Sequence, residues 1–157
     1  MIRDMVEIRD ATPEDFELIL EGIRETNEIE QIHPERYLNY TPKIRAGIEG
    51  KEFRIAVVDG KAAGFIWLKK TTDYFMGIDY VDYEKEYLWI NWVYVAPEHR
   101  KKGIARELYA EAERFAREHG LDEVMLDVGS KNIGSQGYHE SIGFGEIFKI
   151  YSKKLSG

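Results

Sequence analysis

The apolar positions of this chain change period several times, and each change marks an element. Val6–Asp10 reads as a strand. Thr12-Pro13-Glu14-Asp15 then reads as a helix start, with Thr12 as N-cap, Pro13 at the first helical position and acids in the first turn. Phe16, Ile19, Leu20 and Ile23 recur at helical spacing and predict about three turns. Pro34 and Pro42 punctuate the next segment, and a second helix is expected from near Thr41 to Gly50. Phe53–Val58 and Ala62–Lys70 read as two strands joined by a two-residue Asp59-Gly60 hairpin. Tyr87–Val95 is the longest strand pattern, apolar on both faces except for Asn91, which predicts a central place in the sheet. A helix after Gly103 buries Ala105, Leu108, Ala112, Phe115 and Ala116 and stops at Gly120. Glu123–Val128 is expected as a strand, Ser135–Ser141 as a short helix and Gly145–Lys153 as a final strand. The order β-α-α-β-β-β-α-β-α-β is that of a mixed α/β domain with a strand–helix–strand crossover in its second half.

Composition narrows the function. At 157 residues, with 43% apolar and 32% charged positions, the sequence fits one globular domain, 1–157. It has no cysteine, which excludes disulfides, thiolate metal sites and a cysteine nucleophile. A formal net charge of −7 argues against a broad nucleic-acid-binding surface and favours cationic small molecules or basic peptide ends as partners. No apolar run approaches membrane-spanning length and no secretory leader pattern is present, so cytoplasmic residence away from membranes is expected. His33, His99, His119 and His139 lack metal-ligand spacing, and no metal is expected. Neither a P-loop nor a nucleophile elbow occurs.

The chemistry concentrates in Val93–Ala105, V-Y-V-A-P-E-H-R-K-K-G-I-A. An apolar strand breaks at Pro97, crosses a basic loop and enters a helix at Gly103. A helix N-terminus carries unpaired N–H groups and the positive end of the dipole, a natural seat for phosphate. Gly103 permits a close approach that a side chain would block.

Three features in order make the sequence resemble the GNAT superfamily of acyl-CoA N-acyltransferases. Arg100-Lys101-Lys102-Gly103-Ile104-Ala105 matches the family's (R/Q)-x-x-G-x-(G/A) loop, Asn132 follows the next strand, and Gly143-Phe144 falls where the family's closing G-F lies. The resemblance covers essentially the whole chain and implies a mixed, mostly antiparallel central sheet flanked by helices. It implies acetyl-CoA as co-substrate and acetyl transfer to a primary amine of a small molecule or peptide, by direct transfer in a ternary complex. It further implies that N–H groups from Lys101 to Ala105 cradle the pyrophosphate, with charge added by Arg100 and Lys102. Val93, Tyr94 and Val95 would pair with the pantetheine arm, and Asn132 would anchor that arm or the helix after it. A homodimer is common in the family. The alternatives are a non-catalytic coenzyme A-binding sensor of the same fold and an acyltransferase using a different donor.

A lysine-like amine is neutral at pH 7 in only about one molecule in a few thousand, so a proton acceptor is expected. Many family members carry a Glu for this purpose at the position of Asn91, and Asn cannot take the proton, although it can orient a water. Glu84, Glu86, Asp82 and His99 are the candidate replacements, with Glu86 favoured. The family's thiolate-protonating Tyr, seven residues after the Asn, falls on His139, which is expected to serve as the acid, while Tyr138 lies one residue early. Tyr74, Phe75, Tyr80 and Tyr83, with Asp73, Asp79 and Asp82, are candidates for an acceptor cleft. His33, Glu35, Arg36 and Tyr37 fall in a second region from which the acceptor site is expected.

Overall fold

The computed structural model describes residues 5–33, 35–72, 85–147 and 149–155. The acidic, aromatic stretch that supplied Asp73, Tyr74, Phe75, Asp79, Tyr80, Asp82, Tyr83 and Glu84 as candidates lies outside the described residues.

The strands are β1 (Val6–Asp10), β2 (Phe53–Val58), β3 (Lys61–Thr71), β4 (Tyr87–Val95) and β5 (Val124–Met125). The helices are α1 (Phe16–Ile29), α2 (Thr41–Glu49), α3 (Ile104–Glu118) and α4 (Ile133–Ser141), with short 3-10 turns at Pro13–Asp15, Arg36–Tyr40 and Pro97–His99. The strands lie in the order β1-β2-β3-β4-β5, antiparallel up to β4, and β5 runs parallel to β4. Asp59 and Gly60 both have positive φ, 49° and 76°, the geometry a tight β2–β3 hairpin requires.

The start of α1 is fixed by Asp15. Its carboxylate accepts from the Thr12 backbone N–H at 2.8 Å and from both terminal nitrogens of Arg9 at 2.8 and 2.9 Å. Burial alone would push this carboxyl up, but the Arg9 and Thr12 hydrogen bonds hold it below its ordinary value.

The apolar-on-both-faces pattern of β4 has a structural cause. Trp67 of β3 pairs with Trp92 and Leu68 pairs with Ile90, so Asn91 is passed over as a bulge. The extra residue flips the alternation. Leu88 and Ile90 before it, and Val93 and Val95 after it, pack on one face with Ile104, Leu108, Tyr109 and Ala112 of α3. Trp92 and Tyr94 turn to the other face, packing with Phe53, Phe65, Ile19 and Ile23 of α1 and Ile44 of α2. Contact on that face is close: a Cβ on Gly22 of α1 would lie 2.6 Å from atoms of both Phe65 and Tyr94.

Two expectations are corrected. The strand over Glu123–Val128 shrinks to Val124–Met125, because β5 pairs with β4 only at Leu88↔Val124 and Trp89↔Met125 before the strands part. Without a longer β5 edge to pair against, the final strand over Gly145–Lys153 does not form among the described residues, and Ile147, Ile150 and Tyr151 are exposed. None of the described helices is long and apolar enough to cross a membrane.

Candidate active site

Beyond Trp89 the β5-side edge of β4 carries no strand partner among the described residues, while its other edge is held by β3 through Ile66↔Val93, Phe65↔Tyr94 and Gly64↔Val95. Parallel strands that diverge leave backbone donors and acceptors exposed, a template for an extended ligand. Val93 and Val95 contribute this edge with their side chains in the α3-side core. Tyr94 sends its side chain the other way, and its hydroxyl donates to Glu25 at 2.7 Å. Burial, with the Glu25 hydrogen bond, pushes the Tyr94 phenol well above its ordinary value.

The open edge leads to the start of α3. Lys101 and Gly103 take positive φ, 61° and 84°, and no described group accepts from the backbone N–H of Lys101, Lys102 or Gly103. With the N–H groups of Ile104 and Ala105 in the first turn of α3, they form a run of free donors at the positive end of the helix dipole. The Ile104 side chain is buried in the core and anchors this turn. Lys101 and Lys102 are exposed, and Lys102 Nζ donates to the Glu98 carbonyl at 3.3 Å.

Arg100 departs from expectation. Its Nε donates to the Val95 carbonyl at 2.8 Å, its guanidinium pairs with Glu25 of α1, and it lies 5.6 Å from the Tyr94 ring centre. It ties the loop to β4 and α1 rather than facing the free donors. The competing carboxylate on α1 is the reason.

Asn132 caps α4: its side-chain oxygen accepts from the Ser135 N–H at 3.3 Å, and the same side chain hydrogen-bonds Glu30 of α1. Asn91 accepts from Trp89 Nε1 at 2.9 Å. Glu86 is exposed just before β4, 4.0 Å from Lys70. A strand rise of about 3.3 Å per residue puts it on the order of 20 Å from Val93, remote from the donor run. His99 lies in the turn before Arg100, with a buried Nδ1 that has no partner.

His139 is buried in α4 among Tyr109, Tyr138 and Phe144. Its Nδ1 lies 2.6 Å from the Ser135 carbonyl, which requires the proton on Nδ1, and its Nε2 then accepts from the Tyr109 hydroxyl. Burial pushes this imidazole below its ordinary value. Both ring nitrogens are engaged, Nδ1 by the Ser135 carbonyl and Nε2 by the Tyr109 hydroxyl. The ring fastens α4 to α3.

Two further acids that no sequence pattern announces are Glu30, next after α1, and Asp127, two residues beyond β5. Glu30, at the end of α1, lies against Gly129, where an added Cβ would sit 2.3 Å from Glu30 Oε1. It hydrogen-bonds the Gly129 backbone and Asn132. Burial raises the Glu30 carboxyl, and the charge of Asp127 adds to that. Asp127, two residues beyond β5, is exposed, and its carboxyl accepts from its own backbone N–H. Tyr40 feels both charges and packs edge-on against Trp92 at 5.5 Å. It also lines a cleft of about 640 Å³ with His33, Glu35, Arg36, Asn39 and Lys43.

An open strand edge runs into a donor-lined helix start, an arrangement suited to an extended, phosphate-bearing ligand. The family model described as Acetyltransferase (GNAT) family matches residues 8–144, and the chain belongs to that family. An aminoglycoside N(6')-acetyltransferase type 1 of Salmonella typhimurium is 30% identical over 96 residues, 61% of this chain and a little under two thirds (63%) of that enzyme's length. The aminoglycoside N-acetyltransferase AAC(6')-Iy in complex with coenzyme A has the same fold at TM-score 0.70 and 22% identity, over 96% of this chain and 94% of that one. A transcriptional regulator from Bacillus halodurans C-125 is as similar in fold, TM-score 0.72 at 18% identity, over 96% and 99%.

Proposed function

We propose that the chain is an acetyl-CoA-dependent N-acetyltransferase acting on a primary amine of a small polycationic molecule, of which an aminoglycoside is the leading example. One observation carries the donor half of this reading: free N–H groups at Lys101–Gly103 continue into the first turn of α3 and adjoin the open β4 edge at Val93–Val95. Such donors suit a pyrophosphate, and the edge suits the amides of a pantetheine arm. Lys101 and Lys102 add positive charge beside them, while Arg100 keeps the loop in place. An exposed N–H on β4 beside a thioester carbonyl would stabilise negative charge developing there. The names of the relatives support an amino-sugar acceptor, and the net charge of −7 favours cationic acceptors over anionic ones. With no cysteine in the sequence, transfer is direct, donor and acceptor being bound together.

Release of free thiol from acetyl-CoA on adding neamine, spermidine or a lysine-containing peptide tests the reading. Release with the polycations is expected. Tight coenzyme A binding with no release on any amine would instead fit a sensor of the same fold.

A further inference from the structure

We propose that Glu25 of α1 is a positioning residue for the donor: it holds Arg100 over the Val95 carbonyl, so that this oxygen does not face the diphosphate. This rests on the donor half of the N-acetyltransferase reading above.

The Val95 carbonyl is the last acceptor on the open edge of β4. The Ala96 N–H donates to the Ala63 carbonyl at 2.8 Å, toward β3. The Tyr94 carbonyl lies on that side too, so close to Gly64 that a Cβ there would clash with it. Backbone groups alternate in direction along a strand, so those of Val93 and Val95 point to the edge that has no strand partner. The Val95 oxygen is covered: Arg100 Nε donates to it at 2.8 Å. The free N–H groups begin at Lys101, just past the Pro97–His99 turn. A ligand crossing from the edge to those donors passes this oxygen. A bare carbonyl oxygen carries partial negative charge and repels a phosphate, and a guanidinium N–H over it removes that repulsion.

Glu25 aims the guanidinium. One Glu25 oxygen pairs with Arg100, and the other accepts from the Tyr94 hydroxyl at 2.7 Å. Burial, with the Glu25 contact, raises the Tyr94 phenol, which keeps that hydroxyl a donor. The neighbouring Arg24 is taken by Glu21 and Glu28, so among the described residues Arg100 is the cation paired with Glu25. A guanidinium can serve a carbonyl through Nε and a carboxylate through a terminal nitrogen at once, which a Lys ammonium cannot match. Stability does not account for the arrangement. The Arg100 and Glu25 side chains are 42% and 20% exposed, and a pair so open to water adds little to the fold.

Calorimetric titration of the full chain with coenzyme A tests the assignment, beside kinetics on neamine that compare acetyl-CoA with S-acetylpantetheine, which lacks the diphosphate. E25A and R100A are each expected to weaken coenzyme A binding about fivefold. The double variant E25A/R100A should lose no more than either alone, because the two side chains act as one unit. R100K should behave as R100A does, and E25D should recover part of the E25A loss. In E25A the ratio of kcat/KM for acetyl-CoA to that for S-acetylpantetheine should fall about fivefold, whereas a merely structural role would lower both donors alike. Coenzyme A affinity in E25A at or above the wild-type value, additive losses in the double variant, or an unchanged donor ratio would each overturn the proposal while leaving acetyl transfer intact. A wild-type chain that binds coenzyme A but acetylates no amine would overturn the transferase reading, and the calorimetric comparison would still decide the role of Glu25.

Discussion

The two halves of the site are made of different material. In the proposed site the donor half is backbone: N–H groups of Lys101–Ala105 and the exposed edge of Val93–Val95, shaped by positive φ at Lys101 and Gly103. The expected acceptor half is side chain: the cleft that His33, Glu35, Arg36 and Tyr40 line before α2. Backbone recognition tolerates almost any side chain except where one would intrude, so it leaves a short local motif. Side-chain recognition assembled from separate elements leaves none. Arg100 bridges Val95 and Glu25 in the donor half, whereas His33, Glu35 and Arg36 of the cleft are exposed.

Substitutions can separate these halves. The largest effect is expected for Gly103→Trp, which places a bulky side chain on a residue at φ 84° among the free donors. Acetyl-CoA affinity measured by calorimetry should fall about 100-fold, near 3 kcal/mol, with neamine binding spared. Next comes His139→Ala. Removing the ring unpairs the Tyr109 hydroxyl and empties part of the α3–α4 contact, so stability to urea should drop by about 2–3 kcal/mol, while kcat of the folded enzyme changes little.

The same histidine sets a pH test. Its folded-state pKa is depressed by burial, so its contribution is present above the unfolded value of about 6.5 and is lost as pH falls through the lower folded value. The melting temperature of the wild type should therefore fall more steeply below pH 6.5 than that of His139→Ala.

Asn27→Leu sharpens the contrast in the opposite sense. Replacing an unpaired buried amide by an apolar group of similar size should raise stability to urea by about 1 kcal/mol, with donor affinity unchanged. The smallest effect is expected for Arg100→Ala. It should lower the melting temperature by about 2–4 °C through loss of the Glu25 and Val95 contacts, with a smaller change in acetyl-CoA affinity than Gly103→Trp.

Much of the fold was legible in the residues. Phe53–Val58 and Tyr87–Val95 form strands with the bounds their patterns predict, the Asp59-Gly60 turn forms the hairpin, and the helix after Gly103 ends before Gly120 at φ 71°. The bulge at Asn91 was hidden, because an extra residue looks the same as a strand apolar on both faces. The truncated β5 and the missing last strand depend on where β4 and β5 part, a property of pairing and not of either segment's own pattern. At the proposed site, the positive φ of Gly103 and the free N–H groups beside it are in keeping with the loop motif read from the sequence. The pull of Glu25 on Arg100, the tie between Asn132 and Glu30, and the burial of His139 against Tyr109 arise from contacts between distant segments.

In the proposed site the backbone at the start of α3, with the open β4 edge, holds the donor. Amide chemical shifts of the isotope-labelled chain, followed during titration with coenzyme A, test it most directly. The largest changes are predicted at the N–H groups of Lys101–Ala105 and Val93–Val95, with those of Glu35, Arg36 and Tyr40 moving only when neamine is added afterwards. Coenzyme A shifts centred on His33–Lys43 or on Glu86, with Lys101–Ala105 unmoved, would contradict it.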